Sequence, residues 1–434
     1  MKLPYFTNPD SELIRSGRGR DPLGLQPVWS AFGRELVPYL ASPVTQVSGI
    51  KSILLIHWLA DCPLKDFFNA EKKPSFRSFF RLMEGVLEYF LYKSPKNSVP
   101  QLCYGIRALA ADANNFRVTY DDGRTAVNGL YQYYRGTCRR AGLLSSDWVV
   151  PEHISKVFNK IWTADLSQIL INHLEPSLKI KGDPLYPHNI LLDNKINNAL
   201  KRFFQDEEIN EILRQQIFKD HPYISFAREC AALLTNLTEP EPSDGWIKWR
   251  IDQLYNSINN ETNTAHSLCS SLQHIQKCEP FVLLLQDCFD YMAASQGSKI
   301  DTVAQEIQDL ENTLSQRAQG QNNTLRKRAE AFLTLDEKND RMRELVALAQ
   351  SLLNNATFSV FLINLLNHHK KCMTDRERTP LVLEEGEILV VTETADRDKK
   401  AIIEHMDSGV PWSNDYYFST AGTIYHQLFG GSNG

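Results

Sequence analysis

Apolar residues recur at helical spacing through most of the chain. Between residues 76 and 92, Phe79, Phe80, Met83, Val86, Leu87, Phe90 and Leu91 fall three or four apart, and Ser94-Pro95 stops the run. Segments 28–40, 49–60, 129–144, 154–237, 246–257 and 266–294 read as helical too, with breaks expected at Glu175-Pro176 and at residues 182–187. Gly142 fits the C-terminal end of the helix that carries Arg139 and Arg140.

Two stretches depart from this period. Arg117-Val118-Thr119-Tyr120 runs into the turn Asp121-Asp122-Gly123, and Leu381, Leu383, Ile388 and Val390 alternate around Glu385-Gly386. Each predicts a β-hairpin. A helix beside a hairpin near each end suggests winged-helix-like modules, with a plain α+β corner an equal alternative for the first. The fold class expected is therefore mainly α, a multi-helix protein with two small β-hairpins.

Ile300, Val303, Ile307, Leu310 and Leu314 follow a 3-4-3-4 spacing, which is a heptad seam. Gly320-Gln321-Asn322-Asn323 interrupts the pattern, and a second helix is expected over 325–353. The pair predicts an antiparallel arm projecting into solvent with the seam facing a partner helix. The alternative is an ordinary amphipathic helix on the core.

At 434 residues the chain is long enough for two or three domains at roughly 150 residues each. The regions expected are 1–150 with a basic arm and the first hairpin, 151–240 in the centre, 245–355 including the arm at 298–353, and 356–434. The turn-rich acidic stretch 238–245 is the clearest boundary. A hydrophobic share of 42% and a charged share of 23% are ordinary for globular proteins and exclude collagen and a fully disordered chain.

A net charge of -5 offers no global attraction to nucleic acid, so any such contact needs a local basic patch. Eight scattered cysteines without a Cys-x-x-Cys pair suggest reduced thiols, and no apolar signal region follows Met1, so the expectation is a soluble cytoplasmic protein without membrane partners.

No phosphate-binding loop, His-Glu-x-x-His or Gly-x-Ser-x-Gly motif occurs, so no catalytic residues, cofactor or metal are assigned and a non-enzyme is expected. His266, Cys269, His274 and Cys278 are zinc-type ligands, but one helix cannot close all four on a single ion. Buried thiols and surface histidines are the preferred reading. Asp183, Asp193 and Lys195 loosely match a metal-dependent nuclease, with Ile190-Leu191-Leu192 as a short strand, yet acidic-x-Lys recurs at Glu71/Lys73, Asp336/Lys338 and Asp398/Lys400. Basic clusters are better candidates for DNA or partner contact: Arg15, Arg18 and Arg20 in a glycine-rich arm, Arg139-Arg140, Arg326-Lys327-Arg328 and Lys370-Lys371.

Arg20-Asp21-Pro22-Leu23-Gly24-Leu25-Gln26, Asn128-Gly129-Leu130-Tyr131-Gln132-Tyr133-Tyr134-Arg135-Gly136 and Tyr416-Tyr417-Phe418 resemble stretches in a group of bacterial proteins encoded in anti-phage defence islands. The layout is similar to the accessory subunit of Lamassu-type systems, which pair an SMC-like ATPase with a nuclease effector. The resemblance implies a non-catalytic bridging subunit docked on an SMC/Rad50-like ATPase and an effector nuclease, with contact to double-stranded DNA as a further expectation. A metal-dependent nuclease acting alone is the alternative.

Overall fold

The computed structural model describes residues 21–41, 44–66, 75–94, 109, 115–119, 129–180, 183–219, 221–235, 255, 266–317, 324–374, 381–390, 398–408, 414 and 416–430. Among them the chain is mainly helical, with two small two-stranded antiparallel sheets. It divides into two compact units, each built from two stretches of sequence, in place of the four consecutive regions expected. Residues 1–36 and 240–416 form the first unit, and 37–239 with 417–434 form the second. The division at 239/240 falls inside the acidic stretch that the sequence marks as a boundary.

In chain order the elements are α1 (Gln26–Leu36), α2 (Val47–Asp61), α3 (Phe76–Lys93), β1 (Val118–Thr119), α4 (Leu130–Arg140), α5 (Glu152–Ile161), α6 (Ala164–Lys179) and β2 (Pro184–Leu185). They continue with α7 (Pro187–Leu191), α8 (Asn194–Gln205), α9 (Glu207–Ile217), α10 (His221–Thr235), α11 (His266–Ala293), α12 (Ile300–Arg317), α13 (Leu325–Phe332) and α14 (Asp340–Asn354). The last are α15 (Phe358–Met373), β3 (Leu381–Glu384), β4 (Glu387–Val390), α16 (Lys399–Ser408) and α17 (Phe418–Phe429). No described helix is long and apolar enough to cross a membrane.

The second unit is organised around α2, whose apolar run Ile53-Leu54-Leu55-Ile56 is buried on every side. It packs against α3, α4 and α17. Its two buried titratable groups are both satisfied. Lys51 Nζ donates to the Phe204 carbonyl in the last turn of α8 at 2.7 Å, and His57 accepts from Arg135. Burial pulls Lys51 down to about 8, against the attraction of Asp206 and Glu207. Side-chain caps at Thr163, Asp193 and Asp206 open α6, α8 and α9. The break expected at Glu175-Pro176 does not occur. Helix α6 continues through Pro176 to Lys179, one turn from its end.

The first hairpin is corrected in part. Val118–Thr119 is a strand, but it pairs antiparallel with Pro184–Leu185 from a distant stretch, while residues 120–128 lie outside the described residues. The described β1 thus answers to a remote partner. The second hairpin matches its expectation: Leu381 pairs with Val390, and Glu384 with Glu387. Its two-residue turn places Glu385 and Gly386 at φ of 50° and 84°, the left-handed geometry that closes a hairpin with the correct twist.

In the first unit the proposed arm is folded into the core, which corrects the projecting reading. Ile300, Val303, Ile307, Leu310 and Leu314 are all buried, and α12 packs on α15 and α13. The start of α12 is also tied to the hairpin. Gly297 N donates to Ile388 O at 2.8 Å, Ile388 N to Ser298 O at 3.0 Å and Ile300 N to Gly386 O at 3.0 Å. The seam is therefore an internal interface. The single helix expected over 325–353 is two, α13 and α14, because Asn339 accepts the Met342 amide at 2.9 Å and restarts the helix. Helix α15, which precedes the second hairpin, is packed by α12, α14, α11 and β3. It buries His368 and His369 and keeps Val360, Asn367, Lys370 and Lys371 exposed.

Candidate nucleic-acid interface

Helix α4 begins at Gly129, which has no side chain to cap it. A buried carboxylate from α3 takes that role: Glu84 Oε1 accepts the Leu130 amide at 2.5 Å. At the other end the chain leaves in the left-handed conformation at Gly142 (φ 76°). Leu143 N donates to Cys138 O at 2.9 Å, and Gly142 N to Arg139 O at 3.1 Å, the Schellman pattern that the glycine predicts.

Between these ends α4 presents Tyr131, Arg135 and Arg139 at successive i+4 positions, one stripe along the helix. A tight loop faces the stripe. Ser145 N donates to Val149 O at 2.9 Å and Trp148 N to Ser145 O at 3.1 Å, which holds Trp148 at φ 67°. A bulky residue in the left-handed region costs on the order of 1–2 kcal/mol, and such strain concentrates at functional positions.

That conformation brings the Trp148 indole onto the stripe. The Arg135 guanidinium carbon lies 3.6 Å from the indole centroid, 4.8 Å from the Tyr131 ring and 5.7 Å from the Phe76 ring. Arg139 lies 5.0 Å over the same indole, and Arg77 of α3 lies 5.4 Å over Tyr131. Cations and aromatic faces therefore alternate across α3, α4 and the 145–149 loop, in cation–π range throughout.

Beneath the ladder, His57 Nε2 accepts from Arg135 Nε at 3.1 Å, and a second hydrogen bond joins the imidazole to the Trp148 backbone. Burial, reinforced by the Arg135 charge, pulls His57 down to about 4, so near neutral pH it is an uncharged acceptor that orients the guanidinium. Arg135 Nη1 also donates to Tyr131 Oη at 2.8 Å. Among the described residues, Arg77, Arg135 and Arg139 form no ion pair with a carboxylate. Burial lowers the Arg135 pKa, and the nearby Arg77 and Arg139 charges add to that effect. Three like charges gathered without a carboxylate partner among the described residues favour an anion.

Of the basic residues singled out in the sequence, Arg139 belongs to this ladder and Arg140 lies exposed beside it. Arg15, Arg18 and Arg20 lie outside the described residues, but the chain that follows them is firmly held. Asp21 accepts the Leu25 and Gln26 amides at 2.6 and 3.0 Å, and His369 and His368 bond the carbonyls of Pro22 and Leu23 at 2.9 and 2.8 Å.

Arg326 and Arg328 are corrections. Arg326 donates to the Leu352 and Ala356 carbonyls at the end of α14, the second at 3.2 Å. Arg328 is buried and donates to Met406 O at 2.5 Å, near Asp287 and Glu311. Lys327 alone of the three is exposed, so the trio is no basic patch. Lys371 is engaged with Glu344 at 2.5 Å.

The nuclease candidates are not assembled as a centre. Asp193 caps α8, accepting the Lys195 and Ile196 amides at 2.8 and 3.3 Å, and the expected strand at 190–192 is instead the end of helix α7. Cys269, His274 and Cys278 all sit on α11, with the His266 side chain outside the described residues. His274 Nδ1 lies 3.7 Å from Glu35, and among the described residues no group of three His, Cys, Asp or Glu is placed to hold a metal.

The sequence reading missed Arg77, Arg135, Tyr131, Trp148 and His57. The 131/135/139 stripe was legible as i+4 spacing, whereas Trp148 becomes part of it only through the loop. No protein-family model matches the chain, and no curated protein or solved structure matches it either.

Proposed function

We propose that the protein is a non-catalytic subunit of a prokaryotic anti-phage defence complex, working in the cytoplasm. In this reading it bridges an SMC/Rad50-like ATPase and a nuclease effector and contacts nucleic acid. The observation that carries the nucleic-acid contact is the ladder in which Arg77, Arg135 and Arg139, without carboxylate partners among the described residues, stack on Tyr131 and Trp148. Arginine and aromatic faces together provide both phosphate affinity and base stacking. The bridging role rests on the resemblance of the Arg20–Gln26 and Asn128–Gly136 stretches to defence-island proteins. The use of Asp193 as a helix cap favours a binding role over independent nuclease chemistry.

The test is to tag the protein, express it with its neighbouring genes and identify what co-purifies by mass spectrometry. Stoichiometric recovery of an ATPase or a nuclease is the expected result. A monomer that recovers no partner overturns the bridging role.

A further inference from the structure

Resting on that reading, we infer that the Tyr131–Arg135–Trp148 ladder takes unpaired nucleotides, a single-stranded stretch of DNA whose bases stack on the aromatic rings, in preference to duplex DNA.

Three features point this way. First, the ladder offers ring faces. Tyr131 and Trp148 are half-buried, and Val149 beside them is 42% exposed. In a duplex the faces of the bases are already stacked on one another, so only an unpaired base can lie flat on an indole or a guanidinium.

Second, Arg139 is exposed while it covers the indole at 5.0 Å, so its side chain can swing from the ring to a phosphate and uncover the part of the indole that Arg135 does not hold. Arg135 cannot do the same, because His57 and Tyr131 hold it at 3.1 and 2.8 Å. The ladder thus combines a fixed cation with a movable one, which suits a backbone that must thread past a stacked base.

Third, the geometry is poor for a duplex. Helices that read the major groove approach with their N-terminal residues, and the positive end of the helix dipole favours phosphate there. Here Arg139 and Arg140 occupy the C-terminal turn of α4. The N-terminal amide at Leu130 is already taken by Glu84. A net charge of -5 supplies no broad field to hold a long duplex.

The test is fluorescence anisotropy of the full-length protein with labelled oligothymidine of about 20 nucleotides, against a duplex of equal length. Expected is at least about tenfold tighter binding of the single strand, weakened about tenfold by Arg139→Glu, with fluorescence quenching that shrinks in Trp148→Phe. Both variants leave the packed core untouched, and circular dichroism verifies their fold. Duplex binding as tight as single-strand binding, with the same sensitivity to Arg139→Glu, overturns the single-strand preference and leaves nucleic-acid contact standing. Single-strand binding indifferent to both variants overturns the assignment to this ladder. No binding to either probe overturns this inference and the nucleic-acid contact together, and loss of partner recovery in Arg139→Glu would then assign the ladder to a protein.

Discussion

The Glu84 carboxylate caps a helix that begins 46 positions later in the chain, accepting the Leu130 amide at 2.5 Å because Gly129 has no side chain to do so. A Cβ at Gly129 would overlap Glu84 Oε1, so the glycine and the carboxylate are one device. It anchors α4, and with α4 the Arg135 ladder.

At the extended backbone of Gly129, Gly→Ala would by itself stabilise by restricting the unfolded chain, but Gly129→Ala should destabilise because Glu84 must withdraw from the helix end. A destabilisation of about 2 kcal/mol or more is expected, measured by denaturant unfolding. Glu84→Gln keeps the shape but loses the charge facing the helix N-terminus, and a smaller loss is expected. Full stability in Gly129→Ala would contradict the coupling.

Glu88, one turn on from Glu84 in α3, is buried and is pushed well above the usual carboxylate range by burial and by its neighbour Glu84. Its folded pKa exceeds its unfolded one, so the folded state binds the extra proton and stability is lost as pH rises from about 4.5. Glu88→Gln should raise the melting temperature, and by more at pH 8 than at pH 5. Melting curves of both proteins at the two pH values decide this.

His57 gives the opposite dependence. Its folded pKa of about 4 lies below the model-peptide value of 6.5, so the unfolded chain binds more protons between those values. Stability should fall as pH drops from 6.5 toward 4, and His57→Gln should remove that part of the decline. Parallel acid-unfolding curves for the two proteins would disprove the assignment.

Lys51 acts at the alkaline side. With a folded pKa near 8 against 10.5, it penalises the folded state most below about 8, and the penalty is relieved as pH rises toward 10.5. Relative to Lys51→Met, the native protein should gain stability over that interval. Unfolding free energies of the pair at pH 7.5 and pH 9.5 measure the gain.

The seam of α12 supplies a last expectation. Ile307 is fully buried, so Ile307→Ala should cost about 2–5 kcal/mol and lower the melting temperature. Deleting 298–353 should unfold the first unit, because it removes the segment bonded to β4 and packed on α15. A folded deletion protein, judged by circular dichroism and protease resistance, would restore the projecting arm.

Local signals in the sequence determined the helical class, the Gly142 end of α4, the Glu385-Gly386 turn and the division near residue 239. Each depends on spacing or on backbone geometry that a few neighbouring residues impose by themselves. Tertiary structure decided the rest. The 300–314 periodicity is the same for a projecting arm and a core helix, and only the bonds of Gly297 and Ile300 to the hairpin tell them apart. Arg328 and Arg139 look alike as basic residues in a sequence. Burial near Asp287 and Glu311 makes one a structural cation, while exposure against Trp148 makes the other a candidate contact. The identity of a side chain sets what it can bond, but the distance to its partner is set by segments far away in the chain.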